Sequence, residues 1–181
     1  MDYETKPTSR NDLRRFAAYF RKLFDVPPGG AFPVLEALDK LSDVFEGSNY
    51  VIVEDKALPP QTMAHCTPND KDGFTVEIKE SVYKGAYEHG VGALLGFICH
   101  EMCHIFLFEI GFTPIYTRSF ADNEIPAYRS VEWQAKALCA EVMIPYDESV
   151  GMKPKQIIET YHVSQAFATK RRKLGKKGCN I

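Results

Sequence analysis

Residues 92–110 are almost uniformly apolar, yet His100, Glu101 and His104 stand near the middle of this segment. A helix over this range would be apolar on nearly every face, which is typical of a helix at the centre of a fold. Burying a polar group without a partner costs on the order of a few kcal/mol, so these side chains need a specific role. A membrane span is not expected, because Glu109 adds a further charge.

The spacing of the two histidines indicates a metal site. Residues i and i+4 lie one above the other on a helix, so the rings of His100 and His104 can converge on one ion. Imidazole nitrogens bind Zn²⁺ at about 2.0–2.1 Å. Glu101 is rotated from that face but can reach a water molecule at the metal, which is the HExxH arrangement of zinc peptidases. The alternative is two core histidines with satisfied hydrogen bonds beside a buried glutamate.

Glu132 is the candidate third ligand, in a predicted helix over 131–144. Ala135 lies one turn further on the same face, and its small side chain would let two helices approach closely. Three ligands and an open fourth position are typical of a catalytic zinc site. The alternative is that Glu132 only stabilises the helix terminus, where a carboxylate favours the helix dipole.

The cysteines offer a second set of possible ligands. Cys99 and Cys103 form their own i, i+4 pair, and Cys139 lies in the helix that carries Glu132. A thiolate binds zinc well, but a buried free cysteine more often behaves as a small apolar residue. Cys66 follows His65 in a segment that could visit the metal as a loop.

Other polar and aromatic residues are weaker candidates. Trp133 is expected to be a packing anchor. Four side chains could stabilise an oxyanion opposite the metal, although a structural or exposed position is the simpler expectation for each: His89, Tyr116, Tyr128 and His162.

Hydrophobic periodicity predicts an α+β fold. Helical spacing over 13–24, with Ser9 or Asn11 as the cap, and over 34–45 predicts two N-terminal helices. Short segments at 50–53, 63–66 and 74–78 predict a small, mostly antiparallel sheet packed on the metal-site helix. Further helices over 155–161 and 164–174 have the outline of a helix-turn-helix.

Length and composition predict one domain over residues 1–181. Its parts would be N-terminal helices over 9–48, the sheet and metal-site core over 49–145, a helix pair over 152–174 and a basic tail over 175–181. With 45% apolar residues, disorder is excluded. Five cysteines, an odd number, and an N-terminus without a secretory pattern predict a cytoplasmic protein. The basic tail could bind nucleic acid, but a solvated, frayed end is the simpler expectation.

Two segments resemble the ImmA/IrrE-type metallo-endopeptidase family, which pairs HExGH with a downstream helix of the form E-x-x-A…FAxxLLMP. Here these read HEMCH at 100–104 and EWQAKALCAEVMIP at 132–145, and the segment Tyr161–Ser164 with Ala166 looks like the family's late "VS..A" helix pair. The resemblance covers about residues 9–174. It implies a zincin-like fold, with His100, His104 and Glu132 as Zn²⁺ ligands and Glu101 as general acid/base. Departures that affect the pocket are Cys103 for the usual glycine, Cys99 for alanine and Lys136 for asparagine.

The resemblance implies a bacterial, phage or mobile-element setting and a zinc-dependent endopeptidase that hydrolyses a regulatory protein, such as a helix-turn-helix repressor. The edge of the strand over 74–78 could bind an extended peptide by strand addition, and the 111–129 loop could gate access. No membrane partner is expected, and the oligomeric state is open. The alternatives are a zinc-containing regulatory protein that binds a repressor or DNA without proteolysis, and a zinc hydrolase with a non-peptide substrate.

Overall fold

The computed structural model describes residues 2–115 and 124–176, and these form an α+β fold. The helices are α1 Arg10–Leu23, α2 Val34–Asp39, α3 Leu41–Val44, α4 Glu80–His89, α5 Gly92–Glu109, α6 Val131–Met143, α7 Tyr146–Ser149, α8 Pro154–Tyr161 and α9 Gln165–Lys176. The strands are β1 Asn49–Val53, β2 Ala64–Pro68 and β3 Phe74–Lys79. The predicted α+β class is therefore confirmed.

The three strands form a mixed sheet in the order β1-β3-β2. β2 and β3 pair antiparallel, and the turn between them is held by the Asn69 side chain, which accepts hydrogen bonds from the N–H groups of Lys71 and Gly73. β1 pairs with β3 in parallel. The prediction of a mostly antiparallel sheet is wrong, because the chain passes from β1 to β2 at the opposite edge and then returns through β3 between them, parallel to β1.

The same topology corrects the predicted peptide-binding edge. β3 contains residues 74–78 and is the central strand, with β1 on one side and β2 on the other. Its backbone hydrogen-bonding groups are therefore used within the sheet and are not available to a substrate. The edge that faces the metal-site helix is β2, which contacts α5.

Local helix signals are largely reproduced. Ser9 is the cap of α1, since its Oγ accepts a hydrogen bond from the N–H of Asp12. The single helix predicted over 34–45 is divided at Lys40, although its apolar side continues into the core. The structure also contains α4 and the short α7, which the sequence patterns do not predict.

α5 lies at the centre of the core, as its composition predicts. Ile98, Met102 and Ile105 are fully buried, and the ring of Phe106 packs edge-on against Phe20 of α1 at 5.3 Å between centroids. Among the described residues, α5 is also the one helix long and apolar enough to cross a membrane. It packs against α2, α4, α6 and the sheet.

The start of α5 packs tightly against the turn between α8 and α9. This contact predicts that alanine substitutions at two glycines of α5 will affect protein stability differently. A Cβ at Gly92 would collide with the carbonyl oxygen of His162 and come within 2.8 Å of the Val163 Cα. Gly92→Ala should therefore lower the free energy of unfolding by about 1–3 kcal/mol. Gly96→Ala is the control on the same helix: its Cβ would meet only the Met143 Sδ, at 3.9 Å.

Because alanine favours a helix interior over glycine by up to about 1 kcal/mol, Gly96→Ala should leave stability unchanged or raise it. Chemical denaturation of both variants, followed by circular dichroism, measures the difference. Equal stability of the two variants would contradict the close packing at Gly92.

Candidate metal centre

His100, His104 and Glu132 meet at one point between α5 and α6. The Nε2 atoms of the two rings lie 3.1 Å apart. One carboxylate oxygen of Glu132 lies 3.3 Å from the Nε2 of His100, and the other lies 3.3 Å from the Nε2 of His104. The structure thus brings together the three residues that the sequence singled out as ligands, and the group could hold a metal ion.

The donor atoms fit a small tetrahedral cation. Ligands at about 2.0–2.1 Å from a tetrahedral ion are separated from each other by roughly 3.3 Å, which follows from the geometry alone. The two imidazole nitrogens are 3.1 Å apart, and each lies 3.3 Å from a different oxygen of the Glu132 carboxylate. Two imidazoles and one carboxylate are a donor set that suits Zn²⁺. The Glu132 side chain is 54% exposed, whereas the histidines are about 20% exposed, so the site opens towards solvent.

The charges of the three groups depend on one another. Hydrogen bonds from His100 and His104 hold the pKa of Glu132 far below its usual value. Burial alone would lower the pKa of His100, but the carboxylates of Glu132 and Glu101 outweigh it and raise the pKa. Both shifts favour a charged imidazole beside a charged carboxylate. A metal binds neutral imidazole, so metal binding at this site should weaken as the pH falls.

Glu132 is oriented by the N-terminal segment, which the sequence analysis did not include in the site. Ser130 caps α6 by accepting a hydrogen bond from the N–H of Trp133. The Asp2 carboxylate accepts hydrogen bonds from the Ser130 hydroxyl and from the N–H of Glu132. Ser130 and Asp2 therefore serve the helix terminus, and the Glu132 side chain is directed to the histidines.

Backbone pairing holds this N-terminal segment in place. The N–H of Thr5 donates to the carbonyl of Arg129, and the N–H of Val131 donates to the carbonyl of Tyr3. Gln134 of α6 donates from Nε2 to the carbonyls of Lys6 and Tyr128. No motif marks such a contact between residues so far apart in the chain.

Glu101 lies beside the three-residue group, on the side of β2. Burial raises the pKa of its carboxyl group, and the neighbouring His100 and His104 partly oppose that rise. His65 and Cys66 of β2 are its electrostatic neighbours across the helix–strand contact. The raised pKa makes Glu101 a better proton acceptor than an exposed glutamate, which suits general acid–base chemistry.

Cys99, Cys103 and Cys139 form a second group behind the histidines. Their Sγ atoms all lie within 4.8 Å of one another, and all three side chains are buried. This group is separate from the imidazole and carboxylate donors, so the cysteines do not replace them. Cys66 is not part of either group within the described residues, because β2 holds it and His65 in a strand and not in a loop.

A cavity of about 380 Å³ adjoins the His100 and Glu132 side of the site, between α5, α6 and α9. Its apolar wall includes Phe97, Trp133 and Phe167. Its cationic residues are Arg10, Lys136, Lys170 and Arg171. In the part of the chain that the structure describes, Arg10 and Arg171 face Glu141, whereas no carboxylate lies within ion-pair distance of Lys136 or Lys170.

The weaker candidates lie elsewhere. His89 ends α4, where its ring is 3.8 Å from the Glu88 carboxylate, and His162 is the left-handed cap of α8. The Tyr128 side chain is half exposed in a short turn before α6. Trp133 packs beneath the Arg10 guanidinium, as expected for an anchor. Tyr116, residues 116–123 of the predicted gating loop and residues 177–181 of the basic tail lie outside the described residues.

Comparison with known proteins does not add to this picture. No protein-family model matches the chain, and no curated protein shows detectable similarity to it. The arrangement of the site itself therefore carries the functional argument.

Proposed function

We propose that this protein is a cytoplasmic zinc-dependent endopeptidase. Its proposed substrate is a regulatory protein of the helix-turn-helix repressor class. The observation that carries the proposal is the convergence of His100, His104 and Glu132 with Glu101 beside them. The resemblance of the 100–104 and 132–145 segments to ImmA/IrrE-type peptidases supports the choice of substrate.

The residues present suggest a division of roles. His100, His104 and Glu132 would hold the metal, and a zinc ion in such a site supplies Lewis acidity that activates water and polarises a carbonyl group. Glu101 would take a proton from the attacking water onto a carboxylate oxygen. It would then pass that proton to the amine nitrogen released when the peptide C–N bond breaks.

The surroundings suggest how a peptide would be held. β2 is an edge strand beside Glu101, so an extended peptide could add to it through backbone hydrogen bonds. One side chain of that peptide would enter the cavity next to His100 and Glu132. An apolar wall with lysines at its border favours a side chain that has an aliphatic stem and an acidic end.

Charge reversal in the cavity tests this binding mode. Lys170→Glu should lower kcat/KM for peptides with glutamate next to the cleaved bond by about three- to tenfold, because a rim charge contributes roughly 1 kcal/mol. Lys173→Glu is the matched control, since Lys173 lies on the same helix but does not line the cavity. Paired peptides that differ only in glutamate or glutamine provide the measurement. If both substitutions lowered kcat/KM for the glutamate peptides equally, the cavity would not be the binding site of the peptide side chain.

The proposal as a whole is tested with purified protein and a library of internally quenched peptides. Chelation should abolish cleavage, and added Zn²⁺ should restore it. Hydrolysis that persists after the metal is removed would refute the proposal, and so would a zinc-loaded protein that cleaves neither the library nor a repressor encoded beside its gene.

A regulatory binding protein that retains the metal without proteolysis is the alternative from a different class. The features that favour it are the helix-turn-helix outline of α8 and α9 and the basic C-terminal tail. Ala168 and Arg171 of α9 are buried, and Arg171 is paired with Glu141 of α6. That face of the helix is used for packing, which makes it a poor recognition surface, so peptidase activity remains the preferred proposal.

A further inference from the structure

The three buried thiols beside the metal centre form a site of their own. α5 carries Cys99 and Cys103 one residue before each of the two histidines, and α6 carries Cys139 two turns after Glu132. The same two helices therefore present two donor groups side by side. The Sγ atoms lie within 4.8 Å of one another, and the exposed fractions of Cys99, Cys103 and Cys139 are 0%, 0% and 4%.

The surroundings of this thiol cluster determine which ligand fits. The cluster belongs to the apolar core. The buried Arg21 guanidinium acts electrostatically on Cys99, but its own hydrogen bonds go to three backbone carbonyl groups. Net charge is costly in such a place. Three thiolates around Zn²⁺ would leave one negative charge, and structural zinc sites nearly always have four ligands. Three thiolates around a monovalent cation such as Cu⁺ would leave two.

A trivalent thiophilic element avoids this cost, because three sulfur ligands neutralise it completely. Three ligands in a pyramidal arrangement are also its full complement, so no fourth donor is needed. Arsenic(III), supplied as the neutral hydroxide As(OH)₃, has this chemistry. In the reaction, three S–H and three As–O bonds break, three As–S bonds form and three water molecules leave. No atom is oxidised or reduced.

The structure also provides a route to the cluster. Cys139 lines the cavity of about 380 Å³ that also borders His100 and Glu132. A small uncharged molecule in that cavity therefore meets the first thiol without crossing the core. The Cys139 thiol donates a long hydrogen bond, 3.6 Å to the Gly96 carbonyl oxygen, and its sulfur is also hydrogen-bonded within the thiol cluster, so its present partners are the weak ones that As–S bonds would replace.

We propose that Cys99, Cys103 and Cys139 form a second binding site, specific for a trivalent thiophilic metalloid of the arsenic(III) class and distinct from the histidine–carboxylate centre. Occupation of the site would link α5 and α6 covalently. The helices that carry the proposed zinc ligands would thereby be joined, so the protein should become more resistant to thermal unfolding when arsenic is bound.

The experiment uses the reduced, zinc-loaded full chain and sodium arsenite. After removal of excess reagent, elemental analysis and native mass spectrometry should find one arsenic per chain in the wild type. Cys139→Ala should bind arsenite more than about tenfold more weakly, because one of three As–S bonds is lost. Cys66→Ala is the matched control and should bind like the wild type, since Cys66 lies outside the cluster.

Further variants keep the test decisive. If Cys139→Ala does not fold, Cys99→Ala replaces it, because alanine preserves most of the volume of a buried cysteine. His100→Ala should lose zinc and retain arsenic, which separates this site from the proposed catalytic centre. The proposal would be overturned if the wild type retained no arsenic. It would also be overturned if Cys139→Ala and Cys99→Ala bound arsenic like the wild type, or if His100→Ala lost it.

Discussion

Glu101→Gln is expected to bind zinc like the wild type and to lose peptide hydrolysis by about a hundred- to ten-thousandfold, the range that a general acid–base group contributes. The amide has nearly the same shape as the carboxylate but cannot accept the proton of the attacking water. The Glu101 carboxylate is not among the three donor groups that converge between α5 and α6. Zinc content by elemental analysis and cleavage of quenched peptides by fluorescence measure the two properties separately.

Glu109→Gln provides the matched control for this result. Glu109 is the last residue of the same helix and lies away from the donor group, so it should keep both zinc and activity. Full hydrolysis by Glu101→Gln would remove the assigned role of Glu101. Loss of zinc in that variant would show that Glu101 supports metal binding.

Glu132→Ala is expected to weaken zinc binding by more than about a hundredfold. Losing a residue that is only hydrogen-bonded to a metal ligand already costs up to about a hundredfold in affinity, and loss of a ligand itself should cost more. The substitution removes the only carboxylate that contacts both imidazoles in the described part of the chain. Competition with a chromophoric chelator gives the affinity directly.

The control for Glu132→Ala must separate metal binding from stabilisation of a helix terminus. Glu80→Ala serves this purpose, because Glu80 occupies the first turn of α4 and pairs with Lys84, not with a histidine, among the described residues. It should lower stability by about 0.3–1 kcal/mol and leave zinc affinity unchanged. If Glu132→Ala held zinc as tightly as the wild type, Glu132 would be only a helix-terminus residue and the proposed centre would lose its third ligand.

The features of the site that could be predicted from sequence are those that depend on residues a few positions apart in one helix. His100 and His104 are four residues apart, and this separation places their rings together on any α-helix. The apolar composition of α5 likewise requires burial, and Ser9 caps α1 through a contact three residues away. Such interactions depend only on helix geometry, so they follow from the order of residues.

Contacts between distant segments needed the tertiary structure. Whether β3 or β2 forms the edge beside Glu101 depends on a crossover that leaves no period in the sequence. Asp2 bonds to the start of α6 although 130 residues separate it from Glu132 in the sequence, and no motif indicates this contact. Cys139 joins Cys99 and Cys103 only because α5 and α6 pack face to face. Spacing along one element is a local property, whereas the pairing of elements is decided by how the whole core packs.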